Sequence, residues 1–482
     1  MSSVREQIPL GINLSKGRAS AAGSQALVNM YAEPIAREGR TELALLPWPG
    51  RESFSTIGGG EVRGMLEVGS THYAVVGETL YVIAESTGTA TSVGTIEGTD
   101  LVDMDANGAD LVIVAELKSY RVLLSTGVLS EITSDADLST PTSVTSINGY
   151  TITTRADSDV FQWSSLRDAS AWDALDFATA ESNPDTLVAV RSVNKELVLL
   201  GRKSIEFWYN SGNPTQAFEP RSVAPLRLGC LSRDSAIVAD GSLFFVGRDG
   251  DGGGIGVYRL NGYQPEKVST PPIDKWLHDN RSIVDTARAF SFQMLGHAFF
   301  VLTLPNTVTL VLDLSTKLWI PYVRTSTYAM SAEPGGVWDA VTFATNGQDL
   351  IVGGSDGNLY KLNASVYTED GDAMIREVIL PQVYKGGYQF TLHRIEIDFE
   401  AGTALTSGQG SSPVMMFNQS RDGGRTWTEP RETSMGLIGD YTRRAYWTMC
   451  GTARQVIPRF RTSEPIKSVI FGVTADIEVH GN

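Results

Sequence analysis

Cysteine, histidine and long apolar runs are all scarce in this chain of 482 residues. The two cysteines, Cys230 and Cys450, stand far apart with no neighbouring Cys or His at metal-ligand spacing. That pattern reads as two buried thiols, not as a disulfide or a zinc site. The five histidines, His72, His278, His297, His393 and His480, form no H-E-x-x-H or H-x-H pair, so they define no metal centre. No apolar stretch approaches the roughly 20 residues that a membrane helix needs, which leaves no membrane span. The opening MSSVREQIPLGINLS lacks the unbroken apolar core and cleavage pattern of a secretory signal, and synthesis in a cytoplasm is the expectation. The glycines near 58–64 are not followed by Lys-Ser/Thr, and Gly201-Arg202-Lys203-Ser204 lacks the earlier glycine of a phosphate-binding loop. Nucleotide binding therefore has no support, and no cofactor is expected.

Positive charge is also short, and unevenly so. The net charge is −16. From residue 371 onward 12 Lys+Arg face 12 Asp+Glu, leaving 27 against 43 in residues 1–370. An acidic surface repels phosphates and argues against gripping DNA by neutralising its backbone. It suits a wall along which DNA slides.

Glycine is plentiful, with 48 residues, and it falls at turn positions between short runs of strand formers. A recurring unit consists of a turn, a strand of apolar β-formers and a partner strand. The turns fall at Gly69, Gly108, Gly149, Lys195, Gly241, Gly296 and Gly347, at intervals of 39, 41, 46, 46, 55 and 51 residues. Partner strands include TLYVI at 79–83, SIEFWY at 204–209, GVYRL at 256–260 and NLYKL at 358–362. Antiparallel units of about 40–50 residues are the signature of propeller blades, each burying its faces against its neighbours. The expectation is an all-β chain with a β-propeller of about seven blades, six or eight being the alternatives, over 61–370. An extended arm precedes it at 1–60, where prolines interrupt periodicity. A C-terminal β-sandwich follows over 371–482, with strands such as RIEIDFE, VMMFNQS and VIPRFRT.

Several motifs bear on function. Ser420-Arg421-Asp422-Gly423-Gly424-Arg425-Thr426-Trp427 resembles the Asp box, a hairpin in which hydroxyl and carboxylate oxygens bond turn amides and Trp anchors by packing. Ser420, Asp422, Gly424, Thr426 and Trp427 are accordingly read as a structural motif. Gly353-Gly354-Ser355-Asp356-Gly357 matches the G-x-S-x-G of hydrolases, but a strand leaves it where a nucleophile elbow requires a helix. Arg248 to Gly254 places Asp249 and Asp251 for a cation, yet no bidentate carboxylate follows, and the segment reads as a hairpin tip. Arg443, Arg444, Arg454, Arg459 and Arg461 lie in a stretch with one acid, Glu464. They read as solvated outward side chains or as a docking face for an acidic partner.

Taken in order, VNMYAEPIAREGRTELALLPWPG, WSSLRDASAWDALDFATAESNPD, KSIEFWYNSG and RDGGRTW…RAYWTMCGTARQVIPRFRTSEPIKSV…IEV resemble the packaged-DNA stabilisation protein, or tail accessory factor, of lambdoid short-tailed phages. The resemblance implies a virion structural protein with no catalytic residues, assembled in the host cytoplasm. It implies six copies in a ring beneath the portal-bound adaptor, closing the channel over packaged DNA and meeting a tail needle or plug and tailspikes. Under it, Asn29, Pro49 and Pro184 are structural. The rival reading is a sialidase-like glycan-cleaving propeller, which needs an arginine cluster and paired carboxylates, or a glycan-binding tail protein suggested by nine tryptophans.

Overall fold

Runs of β-branched and aromatic residues punctuated by turn formers fold here into many short antiparallel strands. The computed structural model describes residues 3–12, 14, 25–35, 41–133, 138, 140–180, 185–213, 216–250, 252–324 and 336–480. Two compact units result: residues 53–305 with 339–361, and residues 1–52 with 306–338 and 362–482.

The first unit is a propeller. All seven turns expected from the sequence carry a left-handed residue between strands. At Asn194-Lys195 both central residues have positive φ (51° and 66°), the mirror-image turn whose twist matches that of the paired strands. Seven inner strands, Val62–Val68, Asp103–Ala106, Pro141–Ile147, Leu187–Val193, Ile237–Ala239, Arg288–Met294 and Ala340–Asn346, touch in that order, and the seventh meets the first. The ring is therefore closed and has seven blades. Apolar side chains fill each gap between blades. Phe161 packs edge-on against Trp208 at 5.0 Å between the third and fourth blades, Phe244 stacks on Phe300 between the fifth and sixth, and Phe290 stacks on Phe343 between the sixth and seventh. Each such burial contributes roughly 1.5–3 kcal/mol. The longest turn-to-turn interval is explained by a helix, Pro271–Asp279, with proline in its first turn. Two segments of the family-like pattern meet directly: Asp185 Oδ2 accepts the amides of Lys203 (2.6 Å) and Ser204 (2.9 Å). Glu181, Ser182 and Pro184 lie outside the described residues.

The second unit is built from three stretches of chain. One sheet runs in the order Met30–Pro34, Leu43–Pro47, Ile470–Val479, Phe390–Phe399, Ala445–Ala453, with Val4–Ile8 also paired to Ile470–Val479. The other runs Ala26–Val28, Arg376–Ile379, Gln455–Thr462, Val414–Ser420, Arg431–Ser434, with Val383–Tyr384 at its side. Between them lies a core that includes Phe390, Ile395, Phe417, Trp447 and Phe460. Residues 1–52, the larger part of the 1–60 stretch read from sequence as an extended arm, thus supply strands to both sandwich sheets. Asn29 ties the three stretches together. It is fully buried with φ of 53°, and its Nδ2 donates to the carbonyls of Val323 and Ile375, both at 2.8 Å. Its Oδ1 accepts the Val323 amide at 2.8 Å. Beside it, Tyr31, Trp48, Tyr322 and Trp338 form an aromatic chain, and Arg51 pairs with Glu369 at 2.7 Å with both side chains buried.

Pro49 is buried and Gly50 is required by space, because a Cβ there would lie 2.4 Å from the Thr368 carbonyl oxygen. Asn29→Ala strands three buried backbone groups and places a Cβ residue without amide compensation at positive φ. Urea unfolding should show a loss of about 3–5 kcal/mol, and Asn29→Gly, which relieves φ but not the lost bonds, should recover only a small part.

Candidate functional site

Three places in the molecule concentrate polar chemistry: the propeller axis, the Asp-box-like hairpin and the arginine stretch. At the axis, six of the seven inner strands line a cavity of about 230 Å³ whose charged members are Arg63, Asp103, Arg191, Asp234 and Arg288. At about 30 Å³ per water it has room for a handful of water molecules.

Its guanidinium groups are engaged across blades. Arg191 Nη1 meets Asp103 Oδ2 at 2.8 Å and donates to Ser143 Oγ at 2.9 Å, while its Nε donates to the Ala236 carbonyl at 2.7 Å. Arg233 reaches the carbonyls of Thr142 (3.0 Å) and Leu101 (2.7 Å) and pairs with Asp234 at 2.7 Å. The second to fifth blades are thereby braced from the inside. Arg63 spends its donors on the carbonyls of Gly77, Ile96, Glu97 and Asp100, and Arg288 closes the first blade to the sixth through Glu61 at 2.6 Å. Burial pushes the Asp103 carboxyl towards neutrality, but Arg191 and Arg233, with hydrogen bonds from Ser143 and Val144, outweigh it and hold it below the usual carboxylate range. Two residues on, Asp105 is pushed up by burial despite the amides of Ala106 and Ser146. None of these residues was singled out from sequence. The legible signal was Asp103-x-Asp105 in a short strand, two acids on one face where an inner blade strand is expected to be apolar.

In the hairpin, Ser420 Oγ accepts the Gly424 amide at 2.8 Å, and Asp422 Oδ1 accepts the amides of Arg425 (3.0 Å) and Thr426 (2.9 Å). Thr426 Oγ1 donates to Asp422 Oδ2 at 2.6 Å. These bonds, led by that from the Thr426 hydroxyl, hold the Asp422 carboxyl far below its ordinary range. Trp427 is half-buried, with the Arg459 guanidinium 4.0 Å over its ring. All the polar atoms named are spent inside the turn.

The five arginines are not brought together. Arg443, Arg444 and Arg454 are exposed; Arg443 donates to the Ser434 carbonyl, Arg454 to that of Gly387, and Arg444 pairs with Glu396 at 3.0 Å. Arg459 and Arg461 are buried beside Glu377, with Arg461 Nη2 at 2.5 Å and Arg459 Nε at 3.9 Å from its Oε2. Both readings of the stretch, outward solvated positions or a docking face, require exposure, and these two lack it. The reason is that the second face of their sheet is also packed: Ala26, Val28, Ile379 and Ile457 of the sheet form an apolar cluster there with Val323, Ile375 and Trp427. The G-x-S-x-G segment is a turn, with Gly357 at φ of 82° and the Gly354 amide bonded to the Asn358 carbonyl. Asp251 lies outside the described residues, and among those described no cluster of three metal-ligating side chains occurs. Cys230 and Cys450 are buried free thiols.

Two family models cover nearly the whole chain: one described as Bacteriophage P22 Gp10, beta-propeller, matches residues 7–367, and one described as Bacteriophage P22 Gp10, beta-sandwich, matches residues 375–478. The chain belongs to this family. It is thus a phage DNA-stabilisation tail protein, a virion tail component from a structural family. No curated protein matches the chain. Among solved structures, the computationally designed Ika8 protein is similar at 13% identity, 65% of this chain, 99% of that one and a TM-score of 0.38. PorZ, a surface component of the type-IX secretion system of Porphyromonas gingivalis, is similar at 13% identity, 80% of this chain, 46% of that one and a TM-score of 0.37. A chain of the mitotic checkpoint complex gives 10%, 66%, 95% and 0.38.

The axial brace makes a pH-dependent prediction. Asp103 titrates lower folded than unfolded, so its contribution is complete above the ordinary carboxylate range and is lost as pH falls through the folded value. Arg191→Met removes the direct ion-pair partner of that buried carboxylate, leaving it the Arg233 charge and the hydrogen bonds from Ser143 and Val144, and should cost about 3 kcal/mol at neutral pH. Asp103→Asn should flatten the acid limb of the stability curve, read by urea midpoints between neutral pH and pH 3; an unchanged limb would count against the brace.

Proposed function

We propose that this protein is a structural subunit of a short-tailed phage tail, six copies of which form a ring beneath the portal-bound adaptor and prolong the channel that retains packaged DNA. The match of both family models along the chain carries this reading. Distal contacts with a tail needle or plug and with tailspikes complete the assembly. The charge distribution supports it: the 43 acids against 27 bases in residues 1–370 suit a wall that does not hold DNA by its phosphates. In this reading the DNA path runs between subunits and not along the propeller axis, which the contacts of Arg191 and Arg233 cross.

A ring of this kind is held by subunit contacts that each bury about 1,200–2,000 Å². Particles made without the protein should fill with DNA and then leak, sedimenting as empty or partly empty heads. Purified protein added before leakage should rescue them. The free protein should bind duplex DNA weakly even at low salt. DNA-filled particles that remain stable in its absence would overturn the reading.

A further inference from the structure

The first strand of the chain is an add-on to a sheet that is complete without it. Val4–Ile8 pairs antiparallel with one edge of Ile470–Val479, Val4 opposite Ile477 and Ile8 opposite Val473. Four of its five residues are exposed or half-exposed and only Ile8 is buried. Phe390–Phe399 occupies the other edge of that strand along its whole length, so the acceptor does not depend on the N-terminus for its own order.

The acceptor edge reads the strand by chemistry as well as by backbone. Arg5 Nη2 lies 3.2 Å from Glu396 and donates to Thr474 Oγ1 at 3.1 Å, and Glu6 pairs with Lys385 at 2.5 Å. A cation and an anion in succession thus meet complementary charges, which fixes register and direction as in strand-addition recognition. Ile8, Leu10 and Ile12 then pack on the sandwich core. The strand pairing and the polar partners of residues 4–8 all lie between Lys385 and Ile477. Between Leu14 and Ala26 the sequence offers eleven residues, 15–25, eight of them Gly, Ala or Ser. Fully extended they span roughly 36 Å at about 3.3 Å per residue, far more than the roughly 10 Å between sandwiched sheets.

We propose that this edge is an acceptor for the N-terminal strand of a second copy, and that neighbouring subunits exchange residues 4–8 when they assemble. The inference rests on the ring reading above. Exchange of residues 4–8 keeps their strand pairing and both ion pairs, and the closure entropy of the connector varies slowly with its length. Within a ring the neighbour's edge competes at high effective concentration, whereas in dilute monomer the chain's own edge wins.

The test uses full-length protein carrying Gln7→Cys or Thr474→Cys, a pair directly opposed across the two strands, with an affinity tag on one variant to separate their masses. The doubly substituted chain, oxidised as monomer, should form the bond within one chain. The two single variants, mixed, assembled and oxidised, should give a tagged heterodimer on non-reducing gels from the oligomer fraction and none from the monomer fraction. Light scattering on the same samples separates the failures. An oligomer that yields no heterodimer, while the double variant closes normally, overturns strand exchange and leaves the ring intact. A monomer at every concentration overturns both, and a double variant that never closes overturns the strand pairing itself.

Discussion

One buried amide organises the sandwich-bearing unit. Asn29 bonds two other stretches of the chain through Val323 and Ile375, and its left-handed backbone turns the short strand Ala26–Val28 of one sheet into Met30–Pro34 of the other. A carboxamide is the group that can do this: it donates twice and accepts once without charge, where a carboxylate would face two carbonyls across a dry interior. Asparagine also tolerates the left-handed region better than most residues. Position and side chain are thus fixed by the same turn.

The propeller depends on a different economy. Its blades are held together by apolar clusters at five gaps and by stacked phenylalanines at the other two, while ion pairs gather at the axis. Within the acidic residues 1–370, the axial acids Asp103, Asp234 and Glu61 are matched by arginines. A surface of one sign opposes non-specific adhesion to nucleic acid, and a self-satisfied axis presents few free donors.

The propeller was legible in sequence because its signals are local: each blade begins with a turn whose residues tolerate positive φ, and the strands between alternate or run apolar. The sandwich strands were legible for the same reason. What escaped was non-local. Nothing near Val4–Ile8 or Ala26–Val28 marks them as partners of strands some 350 to 470 residues later, since the groups they meet are that far away in the sequence. Arg459 and Arg461 carried the pattern of outward positions, and only the covering of their sheet's second face, by elements distant in sequence, makes them interior. The axial network escaped because it draws single residues from several blades, each unremarkable in its own strand. The Asp-box-like hairpin, whose bonds span only a few positions, could be read residue by residue.

The sandwich unit contains both the first and the last strands of the polypeptide. During synthesis at roughly 5–20 residues per second, the propeller strands between 62 and 304 emerge and can begin to pair long before Ile470–Val479 exists. Val4–Ile8 has no edge to join until Ile470–Val479 has been made, a wait on the order of half a minute or more. Val4–Ile8 is thus locked in only after Ile470–Val479 has emerged, and a product that stops short of that strand is left with an open sheet that cellular proteases can recognise.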